Sequence, residues 1–304
     1  LISGIYGQDG IILSKIYKKR KIKVFGFVKQ QNQKKNKLLN NYTQKIFTNN
    51  LSNFFLIKKH LTEINPDIII HLAANNVGAK DNKGFNKFYL KNLLCFFYLF
   101  FNYLLFFKNN KFLFAGSSMM YGEKNAKISE KTNFNSKSLY GTYKVHSFYI
   151  MRIFKKIFNL RATCLILFNH DSIYRNKNFL IPRIISSYLN NKKRDIIGIF
   201  KSNIYLDISH AEEICEMIYK ISLNNQFNYD KIILSSGKLT SLNKVFFKLM
   251  NIKKSDFKNL KAKKIGLIGD NTILKEKFIF RPKKNIFHAV KELLLFYKKN
   301  KKKY

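Results

Sequence analysis

Short continuous apolar runs alternate with longer amphipathic stretches along the first half of the chain. The runs at residues 21–29, 68–72 and 162–168 are rich in β-branched and aromatic side chains, which is typical of buried parallel strands. The longer stretches at residues 8–18 and 139–158 have the spacing of helices that bury one face. Strands that alternate with helices in this way predict an α/β fold with a doubly wound parallel sheet.

The remaining elements complete this pattern. Further strands are predicted at residues 1–3, 45–48 and 111–115, and a strand at residues 231–235 returns to the sheet. Residues 31–43 are polar and lack apolar periodicity, which predicts a loop. The other predicted helices lie at residues 53–64, 93–107, 180–190, 241–250 and 286–297.

The pattern divides the chain into two main parts. We expect residues 1–165 to form a Rossmann-type part, whose crevice would bind a nucleotide, and residues 166–298 to form a smaller, mainly substrate-binding part whose chain returns to the sheet once. Residues 299–304 are a lysine-rich tail.

Three glycines follow the first strand and open the first helix, in the sequence GIYGQDG at residues 4–10. Glycine permits a tight turn, a close approach of the backbone to a phosphate and close packing of a helix. The N-terminus of the following helix offers free N–H groups to an anion. The spacing of Gly4, Gly7 and Gly10 therefore predicts a site for the pyrophosphate of a dinucleotide.

The end of the second strand carries Lys29 and no acidic residue. An acidic side chain there would bind the ribose 2′-hydroxyl of NAD, whereas a lysine suits the 2′-phosphate of NADP. NADP is therefore favoured over NAD.

Tyr140 and Lys144 are four residues apart on a predicted helix, so their side chains share one face. A neighbouring ammonium lowers the pKa of a phenol, which would make Tyr140 an acid and base near neutral pH. Ser117 directly follows a predicted strand, at the edge of the sheet where ligands bind, and Ser118 competes for the same role. We predict Ser117, Tyr140 and Lys144 as catalytic residues.

The formal charge of +40 would suit a nucleic-acid-binding protein. Only seven of the 57 basic residues are arginine, however, and the lysines are scattered along the whole chain. Planar arginine side chains are preferred for phosphate and base recognition. We expect a solvated surface without a nucleic-acid partner, although its charge would attract a diphosphate.

Three cysteines without close spacing predict neither a disulfide framework nor a zinc site, and favour a reducing cytoplasm. No pair of histidines has metal-ligand spacing, so we expect no metal. The apolar stretch at residues 93–107 is shorter than the roughly 20 residues that a bilayer requires, and we expect a buried helix and no membrane.

The motifs together resemble the extended short-chain dehydrogenase/reductase (NAD-dependent epimerase/dehydratase) family, and within it the GDP-mannose 4,6-dehydratase group. The resemblance covers nearly the whole chain. Besides the glycine turn and the Tyr140/Lys144 pair, it rests on His71-Leu-Ala-Ala74, the block from Ser117 to Gly122, LFNHDS at residues 167–172, and two carboxyl-terminal segments around Gly237 and Asp270.

The resemblance implies an NAD(P)-dependent enzyme that modifies a nucleotide sugar, with GDP as the favoured nucleotide and polysaccharide biosynthesis as its setting. It also implies a homodimer through the helices at residues 93–107 and 139–158. With Lys29 added, the expected cofactor-binding residues are Gly4, Gly7, Gln8, Asp9, Gly10, Lys29, Asn50, Leu51, Leu72, Ala73, Ala74, Tyr89, Lys144, His170 and Arg175. The expected substrate-binding residues are Ser118, Asn169 and Arg183.

Three positions depart from that group. Met119 stands where the dehydratases have the glutamate that removes the C5 proton, Asn50 replaces an aspartate near the adenine, and Leu206 replaces an arginine beside Asp207. Methionine cannot accept a proton in this way, which argues against dehydration. Hydride transfer at the sugar C4 needs only Tyr140, Lys144, a hydroxyl and the cofactor. The alternatives are therefore a GDP-4-keto-6-deoxyhexose reductase, a nucleotide-sugar 4-epimerase, or a non-catalytic dinucleotide-binding protein.

Overall fold

The computed structural model describes residues 1–75, 85–122, 126–190, 200–226, 228–250 and 264–300. The chain forms two compact units. Unit 1 comprises Leu1–Gly122, Glu130–Leu167 and Cys215–Ile232, and unit 2 comprises Glu123–Ser129, Phe168–Ile214 and Ile233–Tyr304. One division along the chain thus falls close to the predicted boundary at residue 165, and the chain crosses between the units at further points.

The strands are numbered in chain order. They are β1 Ile2–Ser3, β2 Phe25–Val28, β3 Lys45–Thr48, β4 Ile68–His71, β5 Lys111–Ser117, β6 Lys127–Ile128, β7 Arg161–Leu167, β8 Asn169–Asp171, β9 Ile204–His210, β10 Lys231–Leu234, β11 Leu239–Ser241, β12 Lys264–Ile265 and β13 Ile268–Gly269.

The α-helices within the described ranges are numbered in the same way. They are α1 Gln8–Lys19, α2 Gln33–Leu39, α3 Phe54–Ile64, α4 Lys91–Phe106, α5 Leu139–Phe158, α6 Leu180–Leu189, α7 Ala211–Leu223, α8 Leu242–Met250, α9 Thr272–Phe278 and α10 Ile286–Lys299. A π-helical turn, Phe85–Leu90, precedes α4, and a 3₁₀ turn, Ser118–Tyr121, follows β5.

A seven-stranded sheet in the order β10-β7-β5-β4-β1-β2-β3 confirms the predicted doubly wound α/β fold. The pairs from β3 through β7 are parallel. The strand order reverses at β1, which pairs with β2 on one side and with β4 on the other. In such sheets the ligand crevice lies beyond the carboxyl ends of the strands at this reversal.

The core of unit 1 is unusually aromatic. On α4, Phe96 is fully buried, and its ring centroid lies 4.8 Å from that of Phe114 on β5 and 5.4 Å from that of Phe100. Aromatic pairs at these distances add to the stability gained by burying their surface. They fix α4 against the centre of the sheet.

By length and composition, one segment among the described residues, Phe88–Phe106, could cross a membrane; its mean hydropathy is 1.4 and 44% of it is buried. The core helix of a soluble protein meets the same criteria. Phe96 and Phe100 show that this segment contributes to the core of unit 1.

Unit 2 has its own smaller sheet, in which β9 pairs with β8, β11 and β12. The helices α6, α8 and α10 contribute a separate apolar core that includes Ile184, Phe246 and Leu293, all fully buried. A second small pairing joins β13 to β6.

The loop predicted at residues 31–43 is wrong in part, because α2 occupies Gln33–Leu39. The Asn32 side chain caps this helix by accepting a hydrogen bond from the Lys35 backbone N–H at 3.0 Å. Leu39 is its one buried residue. A helix that buries so little has no apolar stripe in its sequence, and for that reason the pattern does not reveal it.

Candidate active site

The three glycines of the first turn have distinct structural roles. Gly4 has φ +74°, and a Cβ there would lie 2.8 Å from the Ala73 backbone. A Cβ on Gly10 would lie 2.5 Å from the Ile5 Cα, so only glycine allows α1 to pack this closely. Gly7 is the exposed N-cap of α1. The turn therefore presents the open N-terminus of a 12-residue helix, a favourable place for an anion.

A cleft of about 430 Å³ lies beside this turn, within unit 1. This volume is in the range of small-molecule sites. Eight of the residues predicted to contact the cofactor line the cleft: Gly4, Gly7, Lys29, Asn50, Leu51, Leu72, Ala73 and Ala74. Five further unit 1 residues predicted for the cofactor are not among its lining: Gln8, Asp9, Gly10, Tyr89 and Lys144.

The cleft is cationic. Lys29, Lys35 and Lys91 line it, and none of the described lining residues is acidic. The Lys35 ammonium donates a hydrogen bond to the backbone oxygen of Tyr6 at 2.8 Å, and its pKa is lowered by burial. Such a lining suits a ligand with several phosphate oxygens.

Several lining residues are not among those predicted to contact the cofactor, among them Tyr6, Lys35, Asn75 and Asn92; for Asn92 the resemblance implies only that it braces a strand–helix junction. Asn92 holds the end of β4 by pairing with both backbone groups of Asn75, at 2.8 and 3.0 Å. Lys35 lies in the polar stretch whose pattern predicts a loop. Tyr6 lies inside the glycine motif, so the sequence could have indicated that it lies near the cleft. The contacts of its side chain cannot be inferred from the motif.

Tyr89 is buried, and its hydroxyl pairs with Nδ1 of His146 on α5. Burial raises the pKa of this phenol. These contacts connect the turn before α4 to α5. A contact between Tyr89 and a cofactor stays a prediction.

Tyr140 and Lys144 occupy successive turns of α5, whose N-cap is Ser138. Lys144 is 1% exposed, and its ammonium donates a hydrogen bond to the backbone oxygen of Ala115 on β5. The ammonium nitrogen lies 5.7 Å from the centroid of the Tyr140 ring and 4.6 Å from that of Phe114. The cation therefore lies beneath the half-exposed Tyr140, at the carboxyl half of β5.

Burial lowers the pKa of Lys144 to about 7, and Cys164 opposes this shift. The ammonium form is stabilised by the Ala115 carbonyl and by the faces of the Phe114 and Tyr143 rings. A lysine in this state can change its charge near neutral pH, as a proton-transfer site requires.

Ser117 ends β5, and its hydroxyl oxygen accepts a hydrogen bond from the Met119 N–H at 3.2 Å. Gly141 on α5 lies against the same turn: a Cβ there would come 2.4 Å from the Met119 carbonyl oxygen and 2.3 Å from Ser136 Oγ. The missing side chain lets the first turn of α5 pack on the turn that follows β5. The structure thereby brings the Tyr140 and Ser117 segments together.

Met119 is half-buried in the 3₁₀ turn, and Ser118 is half-buried beside it. A thioether cannot act as a base, so position 119 supplies none. Glu130 lies further along the chain. Burial raises the pKa of Tyr121 and lowers the pKa of Lys231, and the charge of Glu130 contributes to the first shift and opposes the second.

His71 also contributes to the interior of unit 1. Its Nδ1 pairs with Ser3 Oγ at 2.7 Å, and its ring stacks on Phe114. Burial, helped by the charge of Lys144, lowers the pKa of His71 to about 3, so this imidazole is neutral in the fold. Its contacts are those of a structural histidine.

The predicted residues of the second half lie in unit 2. Asn169 is exposed at the start of β8, and His170 is buried with Nδ1 2.6 Å from the Phe168 carbonyl oxygen. Arg175 forms an ion pair with Asp171 at 2.9 Å and lies over the Phe179 ring at 3.7 Å. Arg183 is exposed on α6. Their roles toward a ligand stay predictions.

The carboxylate of Asp207 has a structural role in unit 2. Its buried carboxylate accepts hydrogen bonds from the backbone N–H groups of Ser236, Gly237 and Gly269 and from the Ser236 hydroxyl, at 2.6–3.1 Å. Burial raises the pKa of Asp207, and these hydrogen bonds oppose the shift. It joins β9 to the connection between β10 and β11 and to β13, and none of these hydrogen bonds involves the side chain at position 206.

The sheet order, the glycine turn and the Tyr140/Lys144 helix together define a protein of the extended short-chain dehydrogenase/reductase type. A model of the family "GDP-mannose 4,6 dehydratase" matches residues 1–293. The chain belongs to that family.

Two curated relatives agree with this assignment. The chain is 24% identical over 267 residues to GDP-mannose 4,6 dehydratase 2 of Caenorhabditis elegans, covering 80% of this chain and 67% of the relative. It is 23% identical over 266 residues to the human GDP-mannose 4,6 dehydratase, with 80% and 68% covered.

Solved structures show the same fold. A UDP-glucose 4-epimerase superposes with a TM-score of 0.80 at 17% identity, covering 100% of this chain and 98% of that one. A dTDP-glucose 4,6-dehydratase from Bacillus anthracis, in complex with NAD, also gives a TM-score of 0.80 at 17% identity, with 99% and 96% covered.

Proposed function

We propose that this protein is a nicotinamide-dinucleotide-dependent enzyme that transfers hydride at C4 of a nucleotide-linked hexose. The observation that carries the proposal is the packing of Gly141 against the Met119 carbonyl, which holds the Tyr140/Lys144 helix beside the end of β5 that bears Ser117. The cationic cleft and the glycine turn of unit 1 supply the matching cofactor site.

The residues fit a dinucleotide. In the proposed complex the pyrophosphate lies on the N-terminus of α1 at Gly7, where a bulky side chain is absent. The adenosine end lies toward Lys29, Asn50 and Leu51, and the chain from Leu72 to Ala74 lines the other side. A bound nicotinamide would supply or accept the hydride.

The proton chemistry belongs to the chain itself. Tyr140 would exchange a proton with the sugar O4, and Ser117 would hydrogen-bond the same oxygen. Lys144 in its charged form would stabilise the phenolate of Tyr140. In unit 2, Asn169 and Arg183 are the proposed contacts to the diphosphate and nucleotide, and Ser118 is a further proposed contact to the sugar.

Met119 favours reactions that stop at C4. Removing water across C5 and C6 needs a base at C5, and position 119 provides a thioether. We therefore propose 4-ketoreduction or 4-epimerisation over 4,6-dehydration, with a GDP-sugar favoured by the family. A dinucleotide-binding protein without turnover is the competing proposal, because Met119, Asn50 and Leu206 are also the changes expected of a decayed site.

NADP is the proposed cofactor, with NAD second. The support is the pair Lys29 and Lys35, which line the cleft beyond β2 where an NAD-specific site would carry a carboxylate.

We also propose a homodimer through α4 and α5. Both helices leave large apolar side chains exposed, which is unusual for the surface of a monomer. They are Leu94, Leu105, Phe106, Tyr149, Ile153, Ile157 and Phe158, between 42% and 65% exposed. A second copy that covers this face would remove them from water.

The test is a panel of GDP-, UDP- and dTDP-hexoses, with their 4-keto forms, incubated with NADPH or NADP and analysed by chromatography and mass spectrometry. Gain of two hydrogens or a C4 epimer supports the proposal. Loss of water from the hexose would contradict the choice of reaction. No product with any sugar that binds would favour the non-catalytic protein.

A further inference from the structure

The side chain of Tyr6 connects the glycine turn to the segment that follows β2. The Tyr6 hydroxyl lies within hydrogen-bond distance of two side-chain oxygens, those of Gln31, at 3.0 Å, and Asn36, which share its single proton, and it accepts a hydrogen bond from the Asn32 N–H at 3.3 Å. The Tyr6 backbone oxygen accepts from the Lys35 ammonium at 2.8 Å. One residue of the turn thus contacts four residues of the segment 31–36.

The segment is tied to the sheet from its other side as well. Gln31 donates from Nε2 to Thr48 Oγ1 at 2.8 Å and accepts a hydrogen bond from Asn36 Nδ2 at 2.8 Å. Tyr6 and Asn36 are half-buried, whereas Gln31 and Asn32 are exposed. Since α2 buries only Leu39, apolar packing stabilises its position weakly. The hydrogen bonds with Tyr6 therefore contribute more than packing does to the position of α2.

These contacts determine where the ammonium group of Lys35 lies. Both Tyr6 and Lys35 line the cleft. An ammonium has three N–H donors, and the Tyr6 carbonyl uses one of them. Among the described residues the Tyr6 carbonyl is the one hydrogen-bond acceptor of this ammonium, so its other donors are available to a ligand in the cleft, which Lys29 and Gln30 also line. In a dinucleotide site the 2′ position of the adenosine ribose lies beyond the end of β2.

We infer that Tyr6 is a positioning residue for cofactor specificity: it holds the segment 31–36 so that Lys35 faces the cleft and favours a dinucleotide with a 2′-phosphate. This inference rests on the proposed dinucleotide-binding function. Tyr6 acts through Lys35, and it is not a catalytic residue.

The experiment measures the dissociation constants of NADPH and NADH by fluorescence titration at one ionic strength. The variants are Tyr6→Phe, Lys35→Met, the double variant, and Tyr42→Phe as a control. Tyr42 is also half-buried in unit 1, and it lies outside the cleft lining. Thermal melting of each variant verifies that it is folded.

Lys35→Met is expected to reduce the preference for NADPH over NADH roughly tenfold, the effect of losing one hydrogen bond to a charged group. Tyr6→Phe, which keeps the ring, should reduce the preference about three- to tenfold, mainly by weakening NADPH binding. The double variant should be no worse than Lys35→Met, because both changes act through one group. Tyr42→Phe should match the wild type.

Equal weakening of NADPH and NADH by Tyr6→Phe would overturn the inference, since it would show a role in the glycine turn alone. An unchanged preference, or independent effects that add in the double variant, would overturn it as well. If the wild-type protein binds neither dinucleotide, the proposed function itself fails. Should Tyr6→Phe not fold, Asn36→Ala removes a partner of the hydroxyl from the segment's side and should lower the preference in the same direction.

Discussion

The charged form of Lys144 lowers the stability of the fold. A lysine that is 1% exposed loses its hydration, and one backbone carbonyl replaces only part of it. Its pKa falls from 10.5 to about 7, so the folded state releases a proton that the unfolded chain keeps up to high pH. The unfolded state therefore binds more protons between pH 7 and 10.5, and the free energy of unfolding should rise with pH across this window.

Replacement of Lys144 by methionine should remove this dependence. The variant is expected to be more stable than the wild type below pH 7, by on the order of 5 kcal/mol at the full shift, and the difference should shrink as pH approaches 10.5. Urea unfolding of both proteins from pH 6 to 10 measures this. Lys144→Met should also lose turnover. A constant difference in stability across the range would show that Lys144 is not desolvated in the fold.

Individual side chains can be predicted from the sequence only where a motif defines them. The glycine spacing predicts the roles of Gly4, Gly7 and Gly10, because backbone geometry depends on residue type. The contacts of Tyr6 with Lys35 depend on two segments that meet only in the fold. No spacing along the chain encodes them.

At the scale of helices and turns, Gly141 joins two elements that carry the proposed chemistry. Gly141→Ala would place a methyl group within 2.4 Å of the Met119 carbonyl oxygen. We expect a loss of about 1–3 kcal/mol in the free energy of unfolding, the usual cost of overpacking, and a lower turnover with unchanged dinucleotide binding. Val145→Ala, one turn further along α5, is the control. Full activity in Gly141→Ala would show that catalysis does not depend on the packing of α5 against the turn that follows Ser117.

The end of α9 offers a stabilising change. Ile279 has φ +51° at the C-cap and is 67% exposed, so a β-branched side chain is held in the left-handed region with little burial in return. Ile279→Gly should raise the free energy of unfolding by about 1 kcal/mol. Chemical denaturation measures it. A lower midpoint would mean that the side chain contributes more than its strain costs.

The predicted helices and strands agree with the structure where a face or a whole run is buried. The helix α5 has the bounds that the sequence predicts, Leu139–Phe158, because its apolar spacing extends over five turns. By contrast the sequence predicts a loop in place of α2, since side-chain capping by Asn32 holds this helix more than an apolar face does.

At the scale of the whole molecule, the alternation of strands and helices predicts the doubly wound sheet, because parallel strands need helical crossovers. The chain crosses between the two units several times, and the sequence predicts some of these crossings but not others. The return at Cys215–Ile232 follows from the apolar strand at residues 231–235. The segment Glu123–Ser129 groups with unit 2 through a two-residue pairing of β6 with β13, which is too short to give a pattern.

The proposed dimer can be tested on its exposed face. Ile157→Lys places a charge where the side chain is 65% exposed on α5, and it should shift the protein to monomers because a buried unpaired ammonium is costly. Leu295→Lys, at a 57% exposed position on α10, is the control and should leave assembly unchanged. Sedimentation velocity in moderate salt, which screens the charge of +40, distinguishes the species. A wild-type monomer, or a dimer unaffected by Ile157→Lys, would contradict the proposed interface.

The most direct test of the proposed chemistry follows a deuterium label at C4 of the nucleotide hexose that the panel identifies. In a single turnover with excess enzyme and oxidised cofactor, the wild type should form deuterated reduced nicotinamide, which persists beside the 4-keto sugar for a reductase run in reverse and returns its deuterium to C4 for an epimerase. Tyr140→Phe should slow this transfer by about 10²–10⁴-fold while binding the cofactor as tightly. Product that forms without any deuterated reduced nicotinamide on the way, or transfer at the wild-type rate in Tyr140→Phe, would contradict hydride transfer at C4 assisted by Tyr140.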